Sequence, residues 1–136
     1  MAQSSLDIAK LLYASFRRKD SESIIALFSN DAVVHGPTAS RKVLPWGGSF
    51  TGIEEVKQFF KLLGLGLDIE QLDIIDFISE KEKVVVLGYL RGKSKTTSKP
   101  FETFFAHFLK TDLNSARIVE FRVFNDSAAL ALSMQS

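Results

Sequence analysis

The chain has 136 residues, enough for one domain with a sizeable core and too few for two. Its 17 Lys and Arg against 16 Asp and Glu leave a formal net charge of +1, so no global field favours nucleic acid or an anionic membrane. With no cysteine there are no disulfides, thiol nucleophiles or thiolate metal sites, as expected of an intracellular chain.

The opening MAQSSLDIAKLL has no basic stretch followed by an unbroken apolar run. No later stretch reaches ~18 consecutive apolar residues, so a cytoplasmic protein without leader or membrane helix is expected. Between Leu6 and Phe16, Ile8, Leu11, Leu12 and Phe16 recur at helical spacing, with Asp7, Lys10 and Arg17 elsewhere on the wheel. Asp20 and Ser21 are placed to cap a second short helix, Glu22 to Phe28, which Ser29, Asn30 and Asp31 end. Ala32 to His35 reads as a short apolar strand, broken at Gly36-Pro37 because proline has no amide to donate to a ladder. A turn-rich loop follows, carrying the one tryptophan, Trp46, between Pro45 and Gly47-Gly48. With His35 at one end, the loop reads as a pocket rim. Thr51 and Glu54 form a Thr-x-x-Glu capping box ahead of Val56, Phe59, Phe60 and Leu63, predicting a third helix that stops near Gly64 and Gly66.

After Gly66 the pattern changes to runs rich in Val, Ile, Phe and Tyr: Ile69–Ile78, Lys83–Arg91, Pro100–Lys110 and Ala116–Phe124. Polar turns of hairpin length or a little more separate them, so four antiparallel strands are predicted. Helices first and a meander second define an α+β domain over residues 1–136, three N-terminal helices packed on a strongly curved antiparallel sheet that leaves a hollow.

Three stretches carry a family resemblance: ALFSNDAVVHGP at Ala26–Pro37, LPWGGSFTG at Leu44–Gly52, and IVEFRVFNDSAAL at Ile118–Leu130. Together with the element order they resemble the SnoaL-like branch of the NTF2-like superfamily, related to polyketide cyclases and ketosteroid isomerases. The resemblance implies the NTF2-like (cystatin-like) cone. It implies no single activity, because the superfamily includes isomerases, cyclases, epoxide hydrolases, dehydratases and non-catalytic binders.

Several residues are candidates for chemistry. His35 ends the first strand, either as a base or ligand anchor at the cone's mouth or as a rim histidine bonded to a carbonyl. His107 lies in FETFFAHFLK on one face with Thr103, Phe105 and Leu109, while Phe104, Ala106 and Phe108 occupy the other. Both faces are apolar, so both are expected to be covered, one by helices and one by a partner subunit. His107 then belongs either to the pocket or to a hydrogen-bonded core at the dimer face. Trp46 either stacks on an apolar ligand or plugs the cone. Tyr89 shares a face with Val85, Leu87 and Arg91 and offers a phenol to the pocket or packs. On the last strand Val119, Phe121, Val123 and Asn125 alternate with Glu120, Arg122 and Phe124. The resemblance turns the Val119 set inward, making Phe121 and Val123 ligand-lining, and leaves Glu120 and Arg122 as a pair on the side where such proteins often dimerise. Asp126 reads as the N-cap of a terminal helical turn.

Departures from catalytic relatives matter too. Ketosteroid isomerases place a general-base aspartate immediately before the first strand's proline, where this chain has Gly36. Their oxyanion tyrosine falls at Leu12, with Tyr13 about 100° away around the helix, so the resemblance implies that base and donor are both missing. The last-strand aspartate of limonene-epoxide-hydrolase-like members falls on Val123, and Val84–Arg91 holds no Arg-x-Asp pair. Two histidines without a carboxylate cluster make no metal site, and no Ser-His-Asp, P-loop or dinucleotide motif is present, so neither metal nor cofactor is expected. The basic turn Arg91–Lys95, with Lys99, reads as solvated hairpin charge. The expected function is binding of a mostly apolar small molecule by a homodimer, with isomerase- or cyclase-type proton transfer through His35 or His107 if it turns over. The alternative is a non-catalytic interaction module using the phenylalanine-rich sheet face.

Overall fold

A computed structural model describes residues 3–135; Met1, Ala2 and Ser136 lie outside the description. Helix α1 (Ser5–Arg17) begins where Ser4 and Asp7 exchange hydrogen bonds in a capping box. Its buried stripe is Ile8, Ala9, Leu12 and Tyr13, and Leu11, expected in the stripe, is 41% exposed. Helix α2 (Ser21–Ala26) is capped by Asp20, whose carboxylate accepts from the Ser23 amide at 3.2 Å and from its hydroxyl at 2.6 Å.

Strand β1 (Phe28–His35) starts four residues before the expected Ala32. The loop ends in a short strand that the sequence pattern hides, β2 (Ser49–Thr51), antiparallel to β1. Because Thr51 is drawn into this ladder, the expected Thr51–Glu54 capping box does not form. Gly52 takes the cap at φ +86°, a conformation that favours glycine. The Thr51 amide donates instead to Glu55 at 2.9 Å, and Glu54 turns to Lys57. Helix α3 (Ile53–Gly66) then buries Val56 and Phe59.

The meander is β3 (Leu67–Glu80), β4 (Lys83–Ser94), β5 (Pro100–Asp112) and β6 (Arg117–Asn125), each pair antiparallel as expected. The sheet order is β2-β1-β6-β5-β4-β3, and its β1–β6 pairing is parallel. Register shifts in β3 and β6 add the local twist that curves the sheet around the helices. Helix α4 (Ser127–Ser133) is capped by Asp126, which accepts from the Ala129 amide at 3.1 Å. Among the described residues no helix is long and apolar enough to cross a membrane.

Candidate functional site

The inner face of β5 carries Thr103, Phe105 and Leu109, all buried, with His107 between the last two. Opposite Phe105 on β4 stands Gly88. A Cβ there would lie 2.2 Å from the Phe105 ring, so glycine is what lets the ring lie down. Phe105 in turn stacks on His107 with centroids 4.2 Å apart, and Phe121 closes the imidazole from β6 at 5.0 Å. From α1, the Tyr13 hydroxyl meets His107 Nδ1 at 2.5 Å, its ring nearly parallel to the imidazole.

Burial raises the Tyr13 phenol well above its ordinary range. It also pushes His107 down to about 3, since no neighbouring carboxylate supports an imidazolium. Both groups are therefore neutral at neutral pH. The surface His107 retains opens on an internal chamber of about 60 Å³. Its wall includes Trp46, Phe59, Phe121, Val123 and Leu130, and Asn125 adds an amide. A wider recess of about 460 Å³ lies outside it, bordered by Arg17, Lys19, Asp68, Glu70, Asp73 and Lys95. Phe16, Phe60, Leu63, Leu67, Ile69 and Leu72 line both hollows and so lie between them. Two long cations tie the rim: Arg17 donates to the Leu72 carbonyl at 3.0 Å and Lys95 to that of Gly64 at 2.6 Å.

The structure brings His107, Trp46, Phe121 and Val123 together on the chamber and leaves two expected members out. His35 is on the far face of the sheet: Val34, fully buried, takes the inward position, so its neighbour points away and meets Ser49 Oγ at 3.1 Å. Tyr89 is also outside, because Val86, Gly88 and Leu90 take the inward alternation of β4. Its hydroxyl donates to Glu102 at 2.7 Å, a bond that raises the phenol above its usual range.

The loop around Trp46 is not the rim. Trp46 is 1% exposed and lies against Gly66, where a Cβ would come within 2.5 Å of the indole, so the ring floors the chamber. The mouth is instead set between the ends of α1 and α3 and the start of β3. The alternation of β6 also slips. Lys110 pairs with Glu120 but Thr111 with Ile118, so Val119 bulges and Ile118 takes the core position expected of it.

Tyr13 is the residue that the sequence reading places wrongly. It falls in register with Ala9, four residues earlier, so the stripe Ile8–Ala9–Leu12–Tyr13 was available as a signal. A phenol donor is therefore present, one position from where the ketosteroid-isomerase alignment sought it. Among the described residues no three His, Asp or Glu side chains converge as metal ligands.

Comparison with known proteins gives a consistent picture. The pattern described as a SnoaL-like domain matches residues 9–121. An NTF2-like protein of unknown function from Burkholderia pseudomallei K96243 superposes with a TM-score of 0.87 at 21% identity, covering 98% of this chain and 99% of that one. A protein with a ketosteroid isomerase-like fold from Catenulispora acidiphila DSM 44928, in complex with trimethylamine, gives 0.75 at 15% identity over 94% and 92%. A putative SnoaL-like polyketide cyclase from Shewanella denitrificans OS-217 gives 0.74 at 17% identity over 96% of each chain. At these identities the likeness is one of fold. No curated protein matches the chain.

Proposed function

The chain belongs to the SnoaL-like domain family, and from that premise we propose that it binds a mostly apolar small molecule, as one domain over residues 1–136, in the chamber against Tyr13 and His107. The observation carrying this reading is the phenol–imidazole pair, neutral and bonded at 2.5 Å, on the wall of a hollow that otherwise offers mainly hydrocarbon and aromatic rings. A core without a ligand to orient has little use for a polar pair there, because two apolar groups of similar shape are no less stable. At about 60 Å³ the chamber takes only one end of a ligand, and the adjoining recess of about 460 Å³ falls in the usual range for small-molecule sites. The ligand therefore has an apolar end for the chamber and a more polar remainder for the charged recess. The complex of a fold relative with trimethylamine is in keeping with small-molecule binding.

Binding is the core of the proposal. The relative named as a polyketide cyclase extends it to isomerase- or cyclase-type proton transfer, which in this chain passes through Tyr13 and His107, since no carboxylate lines the chamber. A histidine titrating near 3 is a weak base at neutral pH, so the pair's first role is to hold and polarise the ligand.

A second reading rests on a separate observation. Phe104 and Phe124 on the outer sheet face are 70% and 58% exposed. We propose that this face pairs two copies into a homodimer, which leaves the chamber untouched. The expected cytoplasmic setting rests on the cysteine-free composition.

Native mass spectrometry of freshly purified protein tests both readings together. The expected spectrum shows two subunits and a retained small molecule that disappears in Tyr13→Leu. A ligand-free protein that also takes up no apolar probe such as indane refutes the binding reading.

A further inference from the structure

We propose that the chamber selects a neutral ligand bearing a hydrogen-bond-accepting oxygen, above all a carbonyl, which docks on the Nε2–H of His107. The inference deepens the binding reading and rests on it. It starts from where one hydrogen lies in the 2.5 Å contact between the Tyr13 hydroxyl and His107 Nδ1.

Two arrangements are possible for a neutral pair. Either the phenol donates to Nδ1, or Nδ1–H donates to the phenol oxygen and the hydroxyl hydrogen turns elsewhere. The phenol is the stronger acid and the imidazole nitrogen the stronger base, so the first bond is the better one. The second arrangement also strands the hydroxyl hydrogen: among the described residues Tyr13 has no other hydrogen-bond partner, and its side chain is buried. A buried donor left unpaired is destabilising. The phenol therefore donates, Nδ1 accepts, and the imidazole hydrogen sits on Nε2.

Nε2 itself has no protein partner among the described residues. No buried side-chain nitrogen or oxygen is left unpaired there either, so Nε2 keeps accessible surface, and the void against His107 is the chamber. Phe105, stacked on the imidazole, and Phe121, tilted against it, hold the ring in place. The chamber's amide agrees in sense. Asn125 uses its Oδ1 to accept from Ser127 at 3.1 Å, and its NH₂ has no partner among the described residues. A wall whose free polar groups are donors wants an acceptor. No Lys, Arg, Asp or Glu lines the chamber to balance a charge, and an uncompensated ion is excluded from so apolar a site.

The tautomer is read directly by ¹⁵N NMR of imidazole-labelled protein, with the His107 signals assigned by their loss in His107→Gln. The expected pattern is a pyridine-like Nδ1 and a pyrrole-like Nε2, unchanged from pH 7 to pH 5; the reversed pattern overturns the inference. A second arm compares 1-indanone with indane, two probes of similar shape that differ in one carbonyl. The ketone is expected to bind about 10-fold more tightly, the worth of one neutral hydrogen bond. That advantage should vanish in His107→Leu while indane still binds. Equal affinity for the two probes overturns the carbonyl preference and leaves the apolar pocket standing. Failure of both to bind removes the pocket reading and this inference with it.

Discussion

His107 shows how completely surroundings decide what a residue type does. The same imidazole in a solvated loop titrates at 6.5, whereas beneath Phe105, Phe121 and Tyr13 it titrates at about 3. Between those values the unfolded chain binds the proton and the folded chain does not, so stability rises with pH across that window. The contribution is fully present above 6.5 and lost as pH falls towards 3, at about 1.4 kcal/mol per pH unit. Asp20, lowered by its hydrogen bonds with Ser23, titrates below this range and leaves pH 6.5 to 5 a clean interval. Urea denaturation over that interval should show wild type losing roughly 2 kcal/mol and His107→Gln losing far less; parallel slopes would mean that the imidazole is not buried as described. His35 lies on the outer face instead, bonded to Ser49. Its position at the end of an apolar strand was plain, but the face it occupies depended on Val34 taking the core position.

At the scale of elements, the site depends on what glycines leave empty. Gly88 in β4 yields its space to Phe105, which in turn fixes the plane of His107. Gly88→Ala must displace both that ring and the Asp73 carbonyl 2.7 Å away, and is expected to cost about 1–3 kcal/mol and to weaken binding of apolar probes. Gly64→Ala is the matched control. It lies inside α3 with nothing within 4 Å of the added methyl group, so chemical denaturation should show a gain of about 0.5–1 kcal/mol. A loss at Gly64, or none at Gly88, would contradict this account. The elements were legible where periodicity is local: α1, the four meander strands and the Asp126 cap all follow from their own residues. They were illegible where another strand intervened. β2 claimed Thr51 and dissolved its capping box, and the bulge at Val119 reversed an alternation that looked regular in one dimension.

The whole molecule has two sheet faces of different character. On the inner side, helices and aromatic rings fill most of the space and leave a chamber beside a wider recess. On the outer side, Phe104 packs beside Tyr89 with centroids 5.3 Å apart and Phe124 lies across β5 from it, bordered by the Glu120–Arg122 ion pair. If this apolar face joins two copies, a charge at its centre opposes association without reaching the chamber. Phe104→Glu should therefore sediment as a monomer at concentrations where wild type is a dimer, with indane binding unchanged. An equal sedimentation coefficient for the two proteins would exclude this face as the dimer contact.

Residue order alone established the α+β class, the three leading helices, the meander and the family resemblance, because spacing, caps and turn residues act over a few neighbours. It left His107 between pocket and dimer face, and only the family resemblance turned Phe121 and Val123 inward; the chamber wall includes all three. Only the assembled structure decided that Tyr13 faces His107, that His35 and Tyr89 face outward, and that Trp46 is a floor rather than a rim. Those outcomes turn on which of two faces a strand or helix shows to elements far away in the chain. That choice is made by the packing of the whole core, and by no residue's immediate neighbours.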